Sequence, residues 1–157
     1  MKIKLIGYLL LFFSCALAGF SLSKFYRSKI SCSIAYINLL SNILEKIDIL
    51  HLPLSKIYHS VRDPELEKIG YIEALRSDGI KIAYEKFENK FLFDPEHLEF
   101  CEKLGTMPLA DTVKTCNYEI NRLKKLLDEC KEYYEKKIKL CPALSILIGL
   151  AVIILII

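Results

Sequence analysis

The chain has 157 residues, 53% of them hydrophobic and 26% charged, with a formal net charge of +3. So small an excess, with no Lys/Arg run longer than two and no aromatics threaded through a basic stripe, excludes a nucleic-acid surface. The apolar residues concentrate at the two ends, and setting these aside leaves roughly 115 residues, enough for one domain with its own core.

Met1–Leu22 opens with MKIK and continues as LIGYLLLFFSCALAGFSL, which carries two readings. A basic start, an apolar core and Ala16-Leu17-Ala18 fit a cleaved signal peptide. The apolar stretch from Leu5 to Leu22, followed by Lys24, Arg27 and Lys29, fits an uncleaved membrane anchor. Basic residues gather again at Lys131, Lys136, Lys137 and Lys139, just before the second uncharged stretch, Leu140–Ile157. Lys and Arg beside a span favour the cytoplasmic side, so both clusters place the middle of the chain in the cytoplasm. Lys2 and Lys4 argue the other way in smaller number. The expected organisation is a transmembrane helix over 1–23, a cytoplasmic helical bundle over 24–139, and a second transmembrane helix over 140–157.

Ile30, Ile34, Ile37, Leu40, Leu44 and Ile47 recur at three- and four-residue steps and predict an amphipathic helix over Ile30–Leu50, continuous with the first span. His51-Leu52-Pro53 ends it, because the residue before a proline avoids the helical region. Pro53 then suits the first turn of a short helix to about Val61. Asp63-Pro64 predicts the next helix, with Asp as N-cap, running to about Ser77 and stopping at Asp78-Gly79. Ile80–Phe91 reads as another helix. Asp94-Pro95 opens a further one by the same cap logic, and Leu104-Gly105 closes it.

Pro108 and Asp111 begin the last and longest helix. Its stripe, Val113, Cys116, Ile120, Leu123, Leu127, Cys130 and Tyr134, alternates steps of three and four. Such a seam fits a coiled coil or the core face of a bundle helix, and with several other helices available the bundle reading is favoured. No segment alternates with a two-residue period, so no strand is expected, and no internal repeat is apparent. The predicted fold class is all-α, a small helical bundle flanked by an N-terminal and a C-terminal transmembrane helix.

The six cysteines, Cys15, Cys32, Cys101, Cys116, Cys130 and Cys141, form no CxxC pair, which argues against a zinc knuckle or a thioredoxin-type redox site. Their even number would permit disulfides in an exported domain, but buried reduced thiols are the plainer reading. His97 and Cys101 stand four apart on one predicted helix face, a spacing open to two zinc ligands. No second ligand pair is visible, so an exposed histidine beside a buried cysteine is the favoured reading. His51 and His59 are isolated, and the carboxylates read as solvated helix charges. A Gly-rich phosphate loop, G-x-S-x-G and H-E-x-x-H are all missing, so no catalytic, cofactor-binding or metal-binding residue is expected. Pro142 would free one backbone carbonyl and predicts a kink at the membrane surface. Gly149 fits either a close contact with another helix or a glycine merely tolerated in a span.

Several short stretches together resemble the stage III sporulation protein AB family: Lys4-Leu5-Ile6-Gly7, then Gly19-Phe20 and Lys24; Pro53-Leu54 after an amphipathic helix, with Ile47 at the matching apolar position; Leu104-Gly105 followed by Val113-Lys114, Ile120 and Leu123; and a last span with Leu144, Gly149 and VIILII. The family's acidic residues before the Pro-Leu turn fall here on Leu44 and Lys46, and Pro108 stands where an Asp usually follows Leu-Gly. The resemblance implies a non-enzymatic part of the membrane channel assembled between mother cell and forespore during endospore formation. It also implies a helical domain similar to the inner-membrane platform proteins of type II secretion and type IV pilus systems. The implied partners are a cytoplasmic secretion-type ATPase, other channel membrane proteins and membrane lipid. Two other readings remain: an exported helical binding module, cleaved after Ala18 and tethered by its C-terminal span, and a membrane-bound enzyme.

Overall fold

The computed structural model describes residues 2–104 and 106–156. Six helices follow one another: α1 (Lys2–Leu50), α2 (Leu54–Ser60), α3 (Pro64–Lys68), α4 (Tyr71–Phe87), α5 (Glu96–Lys103) and α6 (Leu109–Ile156), with one 3-10 turn at Glu88–Lys90. No strand occurs among the described residues. The chain divides into two compact units, Lys29–Cys130 and a second made of Met1–Ser28 with Lys131–Ile157.

α1 runs for 49 residues because no glycine or proline interrupts it after Gly19. It stops at His51, which adopts a left-handed backbone (φ 49) and closes the last turn with its N–H on the Ile47 carbonyl at 3.2 Å. Pro53 follows at the N-terminal boundary of α2. The Asp63 carboxylate accepts from the backbone N–H of Glu65 at 3.0 Å and Leu66 at 3.1 Å, capping α3 as the Asp-Pro signal predicts. The expected single helix from Asp63 to Ser77 is broken instead at Gly70. There φ is 83, so the backbone itself requires glycine, and the chain turns into α4. Gly79 ends a helix as read: its backbone is non-helical (φ 81, ψ 174), so α4 consists of two helical stretches, 71–78 and 80–87, meeting at a kink there.

Asp94-Pro95 opens α5, but the N-cap position belongs to Pro95 and receives no side-chain hydrogen bond. The Asp94 carboxylate is drawn away to Arg122, as described below. The expected stop at Leu104-Gly105 is met by Leu104, the C-cap, whose N–H bonds the Phe100 carbonyl; Gly105 lies outside the described residues.

The core of Lys29–Cys130 is built around Tyr36, which is fully buried. Tyr71, Tyr84, Phe91, Phe93 and His97 surround its ring, with centroids between 4.9 and 5.7 Å away. Ile37, Leu40 and Ile47 are buried as their spacing predicts. Ile34 is not; it is exposed, and Ser33 is buried in its stead. Ser33 Oγ donates to the Lys29 carbonyl at 2.9 Å and accepts from the Leu92 N–H at 2.9 Å, so the loop before α5 is hung on α1 by a side chain that needs to be buried to do it. On α6, Cys116, Ile120, Leu123 and Leu127 enter this core, while Val113, Cys130 and Tyr134 are half-buried.

The two end segments are different in kind. α1 and α6 carry windows with mean hydropathy 1.6 and 2.5, and almost none of either window is covered by protein, the reverse of a core helix. Leu10, Phe13, Leu17 and Phe20 on α1 and Leu147, Ile148 and Leu155 on α6 are all more than half exposed. Apolar surface on that scale belongs in lipid. The protein is an all-α bundle flanked by an N-terminal and a C-terminal helix able to cross a membrane.

Candidate functional site

Two arrangements stand out, one in each unit. In Lys29–Cys130, α5 and α6 bring His97, Cys101, Glu119 and Arg122 together with Tyr36 from α1. His97 is completely buried, not exposed as its sequence context suggested, because it sits between Phe100 and the aromatic ring around Tyr36. Its Nδ1 lies 2.7 Å from Glu119 Oε1 and its Nε2 lies 2.7 Å from the Tyr36 hydroxyl. A carboxylate can only accept, so Nδ1 carries a proton toward Glu119, while Nε2 lies against the Tyr36 hydroxyl. Glu119 is the second departure from expectation. It is buried, not a solvated helix charge, and it receives a two-point clamp from Arg122: Nε to Oε2 at 2.8 Å and Nη2 to Oε1 at 2.7 Å. Arg122 Nη1 also donates to Asp94 Oδ2 at 2.6 Å and Glu96 Oε2 at 3.3 Å, tying the start of α5 to α6.

Cys101 Sγ lies 3.4 Å from His97 Nε2, so cysteine, histidine and glutamate line up in the order of a nucleophilic triad. Burial decides against that use. Cys101 is 2% exposed, and burial pushes its thiol up to about 12, so it stays protonated and shielded at neutral pH. The nearby Cys116 thiol is likewise pushed up to about 12 by burial. Among the described residues no group of three or more His, Cys, Asp or Glu side chains is placed to hold a metal ion, so His97 and Cys101 are not two ligands of such a set. His51 and His59 are exposed and do not join the cluster.

The cluster couples stability to pH. Burial alone would raise the Glu119 carboxyl, but hydrogen bonds from Arg122 and His97 outweigh it and hold the group at about 2 instead of its ordinary 4.5. Its folded-state value is depressed, so the stabilisation is fully present above about pH 4.5 and is lost as pH falls toward 2. A shift of this size corresponds to about 3 kcal/mol. Melting temperatures of the full-length protein should therefore hold steady down to about pH 4.5 and fall between there and about pH 2, and Glu119→Gln should flatten that dependence. Equal pH slopes for the two proteins would show that other carboxylates govern it.

In the other unit, α1 and α6 pack antiparallel through small residues. A Cβ on Gly19 would stand 2.5 Å from Ser145 Oγ and 2.9 Å from the Cys141 carbonyl, so the two backbones meet at a distance only glycine allows. Gly149 packs on Cys15 in the same way, a Cβ there meeting the Cys15 Cβ at 3.2 Å, which makes it a close helix contact. Cys15 and Gly19 on α1 thus face Gly149 and Ser145 on α6, four residues apart on each helix, the small-residue spacing by which helices associate in lipid.

Pro142 sits inside α6. Having no N–H, it leaves the Ile138 carbonyl one turn earlier without its helical partner. Ser23 Oγ supplies the missing donor at 3.0 Å, across from α1. The freed carbonyl was expected from the proline; the serine that serves it was not. Just beyond, Tyr26 and Tyr134 pack at 5.5 Å, and Lys137 Nζ lies 4.4 Å from the Tyr133 ring centroid.

Comparison with curated proteins finds no match, and comparison with solved structures finds none either. The family model for stage III sporulation protein AB matches residues 4–157. With an all-α bundle between two membrane-competent helices and a match over essentially its whole length, the chain belongs to the stage III sporulation protein AB family.

Proposed function

We propose that this protein is a non-enzymatic platform in the membrane channel built between mother cell and forespore, holding a cytoplasmic secretion-type ATPase against other membrane components. The observation that carries this reading is the way the polar groups of Lys29–Cys130 are used. The groups most able to do chemistry, His97, Glu119 and Cys101, are buried and engaged in packing helices together. Such a domain is suited to being held and pushed against, with its chemistry closed to solvent. Basic residues following the first span and preceding the second support a domain in the mother-cell cytoplasm, where the ATPase acts. Retention of the first span fits the packing of Gly149 on Cys15, a contact that cleavage after Ala18 would remove.

The test is capture of a cytoplasmic secretion-type ATPase from a sporulating-cell lysate by the full-length chain in detergent or nanodiscs. Retention of the ATPase, abolished when Lys29–Cys130 is unfolded by substitution, supports the platform role. A folded full-length protein that captures none of it overturns the role. Reporter fusions after residues 62 and 106 would read the side of the membrane, and an external location sinks the cytoplasmic assignment.

A further inference from the structure

Where the paired ends of α1 and α6 pass from uncharged to charged sequence, a cleft of about 630 Å³ opens between the two helices. Lys24, Arg27 and Lys139 line it together with Phe20, Ile138 and Pro142, and no acidic residue does. Lys24 is the first charged residue after Lys4, and Lys139 is the last in the sequence. The cleft therefore sits at the level where the hydrocarbon ends. The aromatic cluster of Tyr26, Tyr133 and Tyr134 stands beside it, at the depth such rings favour in a bilayer. Lys24 and Arg27 are three apart and share a face of α1. None of the three cations has an ion-pair partner among the described residues, whereas Arg122, Lys81 and Lys136 elsewhere do.

Three uncompensated cations from two helices, over an apolar wall, form a complement to a phosphate carried on an acyl chain. We propose that this cleft binds the phosphate of an anionic phospholipid, with the headgroup held by Lys24, Arg27 and Lys139 and the upper acyl chain lying along Phe20 and Pro142. Basic recesses between membrane helices at the surface of an anionic leaflet are suited to this chemistry. The inference rests on the membrane reading of the two ends and is independent of any ATPase partner.

The test is native mass spectrometry of the full-length protein in mild detergent, titrated with phosphatidylglycerol, phosphatidylcholine or inorganic phosphate. The native chain should prefer phosphatidylglycerol over phosphatidylcholine by about tenfold or more. Each cation near an anionic surface is worth about fivefold in binding, so Lys24→Gln/Arg27→Gln/Lys139→Gln should erase the preference, while Arg27→Gln alone lowers it about fivefold. Lys125→Gln/Lys131→Gln/Lys136→Gln removes the same charge outside the cleft and should leave the preference within about twofold of native. Circular dichroism checks that each variant is folded, and the single Arg27 variant decides the matter where the triple is not. Equal losses in the two triple variants, or no preference in the native chain, overturn the proposal. Inorganic phosphate binding as tightly as the lipid assigns a free anion to the cleft and overturns the lipid assignment.

Discussion

Leu123→Asp unfolds Lys29–Cys130. Leu123 is fully buried midway along the α6 seam, between Ile120 and Leu127, in the core that also takes Leu39, Leu40 and Ile43 from α1. Aspartate removes most of the apolar volume and places a carboxyl where no donor waits for it. Losing a buried leucine side chain costs about 3 kcal/mol, and burying an unpaired polar group adds about 2 more. The sum is on the order of a small domain's whole stability, typically about 5–15 kcal/mol. The chain has no tryptophan, so its near-ultraviolet circular dichroism comes chiefly from tyrosines, four of which, Tyr36, Tyr58, Tyr71 and Tyr84, pack in this core. That signal should collapse in the variant while the far-ultraviolet helical signal of the apolar ends persists. An unchanged near-ultraviolet spectrum would mean that Leu123 is a docking residue and not part of the core.

Arg122→Met is the second large effect. Methionine keeps the aliphatic stem but removes the clamp, leaving Glu119 with His97 as its one hydrogen-bond donor side chain among the described residues. It also releases Asp94, whose other oxygen, Oδ1, is buried without a hydrogen-bond partner among the described residues. Breaking a buried pair by removing one partner costs about 3 kcal/mol or more. The cause is the stranded carboxylate, so adding Glu119→Gln in the same chain should recover a large part of the loss. The double-mutant cycle on thermal or denaturant midpoints measures it. Strict additivity of the two substitutions would show that the clamp contributes nothing beyond its separate parts.

What was legible in the sequence follows physical locality. The α3 cap is local, since Asp63, Pro64 and the amides they serve lie within one turn, and it appears as read. The seam is nearly as local, because helical spacing alone brings Cys116, Ile120, Leu123 and Leu127 to one face. The Glu119 cluster is not, for its partners come from 22 residues away at His97 and 28 at Asp94. One signal pointed to it: Glu119 is three residues after Cys116 and four before Leu123, so it faces the same way as the seam, and a carboxylate on a core face needs a partner. Ser33 and Ile34 were exchanged because the periodicity treats every aliphatic as core and every hydroxyl as surface. Gly70 escaped notice since its left-handed turn is punctuated by no proline or aspartate. Gly19, unlike Gly149, carried no reading as a contact; its role depends on the register of α1 against α6, which no single stretch of sequence contains.

That register has a mechanical meaning. The carbonyl freed by Pro142 takes its donor from Ser23 on α1, and Gly19 and Gly149 let the two helices close on the small side chains of Ser145 and Cys15. Sliding one helix along the other by a turn, about 5.4 Å, would carry Ser23 away from that carbonyl and strip it of its partner. An unsatisfied carbonyl in a medium without water costs several kcal/mol, so such a step is steeply opposed. The pair behaves as a latch with one closed setting: a pull on α1 along its axis is passed to α6 instead of being lost as slippage between them.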